Sequence, residues 1–379
     1  MATPSVNPEL EAGGAGEAKI ADFAGDLLKS WGFRTERREP VPGRVSVLAR
    51  GGRGEPDRPQ LILCGHLDTV GVAGMTLEPY GAEIRDGRLF GRGSCDMKAG
   101  VAAILAAARG LHEADVAGEV VVALTADEEH ASVGLLDLLD GPLATPGERS
   151  SSSERVAVVT EPTELAVMPA NKGFQWHELT FRGRAAHGSR PDRGVDAIRQ
   201  AGRFLSLLDR YEAELRSRPP HPLLGHGSVH AGTIRGGSAP SVYPEECRLV
   251  VERRTLPGES RQRMREEVEA LLTDLPRGPD EARVELTDGL TRPPGEADAE
   301  SPVVRELREA ARRQGLEAPL GGMSAWVESA FLLEAGIPTV TFGPGSIADA
   351  HGPEESVAVD EIETATRVVE DFGRRYLDR

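Results

Sequence analysis

The sequence has few cysteines and no long apolar run, and each absence excludes a class of protein. Its three cysteines, Cys64, Cys95 and Cys247, form no CxxC pair, which argues against a disulfide framework and favours a reducing compartment. No apolar run approaches the ~18 residues of a membrane helix, and the first residues lack the basic and apolar regions of a signal peptide. We therefore expect a cytoplasmic protein with no membrane partner.

Basic side chains are also scarce relative to acidic ones. The chain has 44 Lys and Arg against 61 Asp and Glu, for a formal net charge of −17. Nucleic acids and anionic membranes bind positive surfaces through counterion release, so the charge disfavours both as partners. Hydrophobic residues make up 39% of the 379 residues, which argues against disorder. At ~150 residues per domain, the length suggests two domains.

Short apolar runs alternate with helical patterns over most of the chain. Apolar residues recurring between Ile20 and Trp31 predict an amphipathic helix. The predicted buried strands are Val45 to Ala49, Leu61 to Cys64, Val120 to Ala126, Val156 to Thr160 and Pro338 to Phe342. Further helices are predicted at Met97 to Leu111, Ala131 to Leu139 and Asp360 to Leu377. This alternation predicts an α/β fold whose mixed, mostly parallel sheet carries helices on both faces.

Between residues 175 and 288 the predicted order of elements changes to βαββαβ, the ferredoxin-like pattern. The polar, proline-rich stretch DGLTRPPGEADAESP follows it and is typical of a linker. We therefore predict an inserted domain at 175–288 within a discontinuous domain formed by 1–174 and 289–379. The serine run at 150–153 is predicted to be an exposed loop.

Acidic and histidine side chains follow four of the predicted strands. In strand order they are His66 and Asp68, Glu128 and Glu129, Glu161, and His351. A further carboxylate, Asp96, lies where a glycine-rich turn enters a helix. Ligands of open α/β sheets bind beyond the carboxyl ends of the strands, so these side chains are expected to lie close together.

Each of these residues also has an ordinary explanation. Asp96 could be a helix cap, and His66 with Asp68 could form a hydrogen-bonded turn. The other acidic residues could be a solvated charge cluster or a strand end, and the last histidine an unremarkable loop residue. Together, however, two histidines and several carboxylates supply the ligands of a zinc-like site, with one carboxylate left for proton transfer. Two metal ions ~3.5 to 4 Å apart can polarise a carbonyl and acidify a water molecule, which suits amide hydrolysis.

A series of motifs carries a family resemblance over nearly the whole chain. In order they are SVNP, GHLDTV, GRGSCDMKAG, TADEE, TEPTEL, AAHGSRPDRGVDAI, RTLPGE, EAGIPTVTFGPG and HGPEE. The sequence resembles the binuclear zinc M20 metallopeptidases and deacylases, and within them acetylornithine deacetylase and succinyl-diaminopimelate desuccinylase. The resemblance implies a zinc-exopeptidase-like catalytic domain with an inserted lid and dimerisation domain.

The resemblance also implies a set of metal ligands. Asp96 would bridge two Zn²⁺ ions per subunit, with His66 and Glu161 completing one site and Glu129 and His351 the other. Co²⁺ would be a substitute metal. In this family the peptide bond that follows the bridging aspartate is often cis.

Further roles follow from the same resemblance. Glu128 matches the general base, and Asp68 matches the carboxylate that orients His66. His187 matches a histidine that, in dimeric relatives, enters the partner's active site and stabilises the oxyanion, so we expect a homodimer formed through the inserted domain. Arg254 matches an arginine that grips a substrate carboxylate.

The glycine-rich segments GGM and GPG lack the form of a phosphate-binding loop and are expected to line the substrate cleft, which makes Gly322 and Ser324 substrate-binding candidates. Two positions depart from the family pattern. Ser241 replaces an asparagine, and WVES, with Glu328, replaces WTDA. These changes bear on substrate choice more than on the reaction.

We therefore predict an enzyme that hydrolyses the amide bond of a small N-acyl amino acid, of the acetylornithine deacetylase type. Dipeptidase, carboxypeptidase and succinyl-diaminopimelate desuccinylase activities are the alternatives within the same chemistry. A non-catalytic metal-binding homologue is a further alternative. The complete ligand set disfavours it, because a scaffold has no need for a charged cluster that is costly to desolvate.

Overall fold

The structure, a computed structural model, describes residues 1–55, 57–144, 154–275 and 283–379; the serine run at 150–153 lies outside them. The helices are α1 (Ala18–Ser30), α2 (Lys98–Glu113), α3 (Val133–Asp140), α4 (Ala197–Ser217), α5 (Arg261–Thr273), α6 (Pro302–Arg313), α7 (Ser329–Glu334) and α8 (Val359–Leu377). The strands are β1 (Arg34–Val41), β2 (Arg44–Gly51), β3 (Gln60–His66), β4 (Ile84–Arg85), β5 (Arg88–Phe90), β6 (Glu119–Thr125), β7 (Arg155–Val159), β8 (Val167–Asn171), β9 (Gly173–Arg182), β10 (Ser228–Gly236), β11 (Glu246–Thr255), β12 (Arg283–Arg292), β13 (Gly295–Glu296), β14 (Leu320–Met323), β15 (Thr339–Thr341) and β16 (Ser356–Ala358). Among the described residues, no helix is long and apolar enough to cross a membrane.

The chain forms two compact units. The larger consists of Met1–Ala170 and Glu296–Arg379, and the smaller of Asn171–Gly295. The smaller unit extends beyond the predicted 175–288 at both ends, because β9 begins at Gly173 and β12 continues to Arg292.

The larger unit is built on a sheet with the strand order β1-β2-β6-β3-β7-β15-β8-β13. The pairs β6 with β3, β3 with β7 and β7 with β15 are parallel, whereas the pairs toward the edges formed by β1, β2 and β8 are antiparallel. Every residue of β3 and β6 is buried, as expected for central strands that read as continuous apolar runs. The predicted fold class is confirmed.

The sequence patterns missed strands that have little apolar character. β1 is a largely exposed edge strand of sequence RTERREPV that pairs with β2. Its charges suit an edge, where they discourage pairing with other chains, but they also hide the strand from hydrophobic periodicity. A second small sheet, ordered β16-β5-β4, was likewise not predicted.

The smaller unit has the predicted element order β9, α4, β10, β11, α5 and β12, with the sheet order β10-β11-β9-β12. Its core packs Leu179 and Phe181 of β9 against Phe204 of α4. The helices begin at capping residues. The side chain of Asp196 accepts a hydrogen bond from the backbone of Arg199, and Ser260 caps α5 in the same way.

Candidate metal centre

Four neighbouring parallel strands of the larger unit end at one edge of the sheet, and the predicted ligands lie there. His66 is the last residue of β3, and Glu161 follows β7 by two residues. Glu128 and Glu129 follow β6, and Asp96 lies just before α2. Because parallel strands present their carboxyl ends together, residues far apart in the sequence meet at this edge.

The first group of donors is deeply buried. His66, Asp96 and Glu161 each offer one ligand atom, and these atoms lie within 4.8 Å of one another. The Nε2 atom of His66 lies 2.9 Å from Asp96 Oδ1 and 3.6 Å from Glu161 Oε1.

The second group, also within 4.8 Å, comprises Asp96, Glu129 and His351. The Nε2 atom of His351 lies 3.2 Å from both Asp96 Oδ2 and Glu129 Oε1. Asp96 therefore directs one carboxylate oxygen at each group, the arrangement that a bridging ligand requires. The Asp96–Met97 peptide bond is cis, as the resemblance implied.

Two glycines, Gly100 and Gly343, allow close packing against the backbone of Thr160, the residue before Glu161. A Cβ atom on Gly100 would lie 2.0 Å from the carbonyl oxygen of Thr160, and one on Gly343 would lie 2.4 Å from the same atom. Only glycine leaves room for helix α2 and the 343 segment to approach the end of β7 this closely.

Asp68 has different partners from those that the resemblance implied. The Nδ1 atom of His66 lies 3.0 Å from the backbone oxygen of Asp68 and 3.6 Å from its carboxylate. The carboxylate instead accepts hydrogen bonds from the backbone N–H groups of Glu128 (3.1 Å) and Glu129 (3.2 Å). The backbone oxygen fixes the His66 ring with Nε2 toward the centre, and the carboxylate holds the loop that carries the two glutamates.

Burial strongly perturbs the acids of this centre. It raises the pKa of Glu128 well above its usual value, where the nearby His66 opposes the rise and Glu161 adds to it. The pKa of Glu161 is raised by burial and by the charge of Asp96. Burial also disfavours the ionised form of Asp96, but hydrogen bonds from His351 and His66 outweigh it and lower this pKa well below the usual range.

These observations fit divalent metal ions. Two histidines are accompanied by four carboxylates: Asp96, Glu128, Glu129 and Glu161. These carboxylates are mostly buried, so solvent screens little of their negative charge. Buried like charges are costly unless cations neutralise them. The donors are oxygen and imidazole nitrogen, the set that zinc and similar ions accept. With Nδ1 donating to the Asp68 backbone oxygen, the neutral His66 ring would offer its Nε2 lone pair to an ion.

Glu355 supports this centre and was not predicted from the sequence. Its fully buried carboxylate accepts hydrogen bonds from the backbone N–H groups of Gly93, Cys95 and Asp96 at 2.9 to 3.1 Å. It also pairs with Arg92 at 2.6 Å. The segment after His351 is thereby tied to the segment that carries Asp96. Neighbouring Glu354 is exposed, so the HGPEE motif alone could not indicate which glutamate has this role.

The altered acid of the WVES segment is also buried. Glu328 is 1% exposed and accepts a hydrogen bond from the Thr125 hydroxyl at 2.7 Å, and the Cys64 thiol lies 3.9 Å from the same oxygen. It therefore lies beside the ends of β3 and β6. Gly322 belongs to β14, and Ser324 is an exposed residue just after this strand.

Two predicted site residues belong to the smaller unit. His187 is exposed, and its Nδ1 atom lies 2.8 Å from Ser189 Oγ and accepts a hydrogen bond from the Ser189 backbone. The backbone oxygen of Ser241, the other departure from the family pattern, accepts the N–H of Gly188 at 2.7 Å. Arg254 lies on β11, with its Nε bonded to Glu252.

Comparison with known proteins identifies the family of this chain. The sequence profile of peptidase family M20/M25/M40 matches residues 62–375. The chain is 34% identical over 359 residues to acetylornithine deacetylase of Myxococcus xanthus, covering 90% of this chain and 88% of the relative.

Solved structures share the fold. An M20 family metallo-carboxypeptidase from Sulfolobus solfataricus matches with a TM-score of 0.78 at 17% identity, covering 99% of this chain and 97% of that one. A dinuclear metal-binding M20 peptidase from Bacillus subtilis matches with a TM-score of 0.71 at 16% identity, covering 99% and 94%. The chain belongs to peptidase family M20/M25/M40, the metal-dependent peptidases and deacylases.

Proposed function

We propose that this enzyme hydrolyses the amide bond of a small N-acyl amino acid, with N-acetylornithine as the leading substrate. The observation that carries the proposal is Asp96, whose two carboxylate oxygens each face a separate histidine and glutamate. Two zinc ions, with Co²⁺ as a substitute, would be held by Asp96 together with His66 and Glu161 on one side and Glu129 and His351 on the other. Ions bound there supply polarisation of the scissile carbonyl and acidification of a water molecule. The deacetylase relative at 34% identity supports the substrate class.

Glu128 is the proposed general base. It directly precedes the ligand Glu129 in the loop after β6 and belongs to neither donor group, and burial raises the pKa of its carboxyl well above the usual value. It would take a proton from the attacking water and return it to the leaving amine. The Asp68 carboxylate holds its backbone, so the side chain is presented from a fixed position.

His187 is proposed to stabilise the oxyanion in the partner subunit of a homodimer. Because its Nδ1 accepts the Ser189 N–H, the neutral ring carries its proton on Nε2 and offers a hydrogen-bond donor. The sheet of the smaller unit has β10 as one of its edge strands. The residues of β10 from His230 onward are exposed and could pair with a second copy of the chain. Sedimentation should find a dimer in wild type and in His187→Ala, and activity assays should find that only the variant has lost activity. This combination would support the role of His187.

Arg254 is the proposed anchor for a substrate carboxylate. Its guanidinium carbon lies 5.2 Å from the centre of the Phe174 ring, and Nε is bonded to Glu252, so the side chain is already oriented. The terminal nitrogens would bind the carboxylate. Gly322 and Ser324 are proposed as substrate-binding residues of the larger unit.

A substrate panel with Zn²⁺ and Co²⁺ present tests the reaction. We expect amine release from N-acetylornithine, and we expect Glu128→Ala to lower the rate by at least about 10² to 10⁴. Glu113→Gln is the control, because Glu113 is exposed and pairs only with Arg109 of the same helix among the contacts described. Comparable rates in wild type and Glu128→Ala would overturn the role of Glu128.

The same panel separates the alternative substrates. Preference for dipeptides or N-succinyl-diaminopimelate would replace the deacetylase assignment and leave the chemistry intact. No bound metal and no hydrolysis across the panel would instead indicate a non-catalytic homologue. We also propose a cytoplasmic location, where the free, buried thiols of Cys64, Cys95 and Cys247 would remain reduced.

A further inference from the structure

Asn7 of the SVNP motif is a buried polar residue for which the proposed mechanism has no use. It is 0% exposed, and its side-chain amide makes four hydrogen bonds. Nδ2 donates to Asp68 Oδ2 at 2.8 Å and to Asp127 Oδ1 at 3.0 Å. Oδ1 accepts from Arg44 Nη1 at 3.1 Å and from the backbone of Glu9 at 3.0 Å. Only an amide provides two donors and an acceptor with two lone pairs in this space.

The two carboxylates that Asn7 holds control the backbone around the catalytic pair. Asp68 accepts the N–H groups of Glu128 and Glu129 at 3.1 and 3.2 Å. Asp127 directly precedes them and has a left-handed φ of 71°, so the chain turns sharply at this residue. Asn7 therefore contacts the loop at its first residue and, through Asp68, at the next two.

The charges around Asn7 explain why a neutral amide is needed there. Arg44 supplies a buried cation to this cluster of carboxylates, and its Nη2 lies 2.7 Å from both Asp127 Oδ1 and Glu17 Oε1. Its distance to the Asp68 carboxylate is 3.9 Å. Asn7 stands between Asp68 and Asp127 and donates to both, which offsets their repulsion in a site closed to solvent.

We propose that Asn7, supported by Arg44, is a positioning residue that fixes the backbone of Glu128 and Glu129 through Asp68 and Asp127. The catalytic part of this inference rests on the proposed role of Glu128. The structural part, that Asn7 immobilises the loop, is independent of it and has its own measurement.

The main variant is Asn7→Asp, which keeps the shape and replaces the donor by a third carboxylate. Gln60→Glu is the matched control. Gln60 is a buried amide that donates to Glu119 Oε2 at 2.6 Å and accepts from Arg155 at 2.9 Å, at the opposite end of β3 from His66. Both variants introduce a buried negative charge beside an existing carboxylate, so both should lower the melting temperature.

Only Asn7→Asp should affect catalysis. We expect kcat to fall by about 10- to 100-fold with little change in KM, the result of misplacing a group that acts in the transition state. In the metal-free protein, hydrogen exchange at the amides of Glu128 and Glu129 should be faster in Asn7→Asp and unchanged in Gln60→Glu. If Asn7→Asp does not fold, Asn7→Ala, which adds no charge, replaces it as the test variant.

The outcomes distinguish this inference from the proposed function. If Asn7 variants lose thermal stability as the control does but keep both kcat and the protection of the two amides, Asn7 is only structural and the inference is wrong. If Glu128→Ala is fully active, the proposed role of Glu128 fails, and hydrogen exchange alone decides whether Asn7 holds the loop.

Discussion

The two halves of the candidate metal centre share Asp96 but differ in depth. The side chains of His66 and Glu161 are 1% and 3% exposed, whereas that of His351 is 48% exposed. The inner half comes from the ends of β3 and β7, which are paired in the sheet. The outer half comes from loops after β6 and β15 and depends on further contacts such as those of Glu355. Sheet hydrogen bonds thus fix one half, and side chains packed between loops fix the other.

Removing one histidine from each half should have the largest effect and tests the comparison directly. His66→Ala leaves Glu161 buried without its imidazole neighbour and Asp96 with His351 alone, and solvent has little access to replace the lost ring. We expect the affinity for the first ion to fall by more than the roughly 100-fold typical of supporting residues. His351→Ala should weaken only the second ion, because water can occupy the exposed position.

Metal titration of both proteins, followed by elemental analysis after dialysis, measures this difference. Equal loss of both ions in the two variants would mean that the halves do not differ in strength.

Glu355→Gln should have the next largest effect. Most of it should fall on the outer half, because Glu355 follows His351 by four residues, although it also holds the segment of the shared Asp96. The amide would turn a donor toward groups that are themselves donors, and the segment carrying Asp96 would lose part of its support. We expect about 10- to 100-fold weaker binding of the second ion. Glu354→Gln is the control, since Glu354 is exposed and bonds to Thr76. Similar metal titrations of the two variants would mean that Glu355 does not support the outer half.

The smallest effect concerns pH in the metal-free protein. Hydrogen bonds to Asp96 and Glu129 raise the pKa of His351 to about 10, from 6.5. A group whose pKa is raised on folding stabilises the protein fully below its unfolded value, and this contribution disappears as pH rises through the folded value. Wild type should therefore lose its advantage over His351→Ala between about pH 6.5 and 10. Exposure of the side chain keeps the effect small.

Thermal melts of both metal-free proteins across this pH range provide the measurement. A gap that widens with increasing pH would contradict the assignment.

The central fold was predictable because its signal is local. Leu61 to Cys64 and Val156 to Thr160 are apolar runs of the kind that a fully covered sheet requires. The first lies within β3, and the second overlaps β7, which ends at Val159. β1 was not predictable in this way, since an exposed edge strand has no apolar pattern. The smaller unit extends further than predicted because β12 continues to Arg292, and this part of the strand is too polar to give an apolar pattern.

The chemical types at the site were also predictable, whereas their supports were not. His66, Glu161 and His351 stand out because they follow strands and are ligand types. Asn7 lies in a motif noted only for its family resemblance, and three of its four partners, Arg44, Asp68 and Asp127, are distant in the sequence. Glu355 differs from Glu354 in burial, which no local pattern records.

The sequence by itself determined the central strands of the sheet and which ligand-type residues follow them, because periodicity and residue type are properties of short segments. The tertiary structure decided which carboxylate oxygen faces which histidine, and which of two adjacent glutamates is buried. Glu129 and His351 meet across 222 residues of chain. Such contacts depend on the packing of the whole unit, which brings together groups that carry no local record of one another.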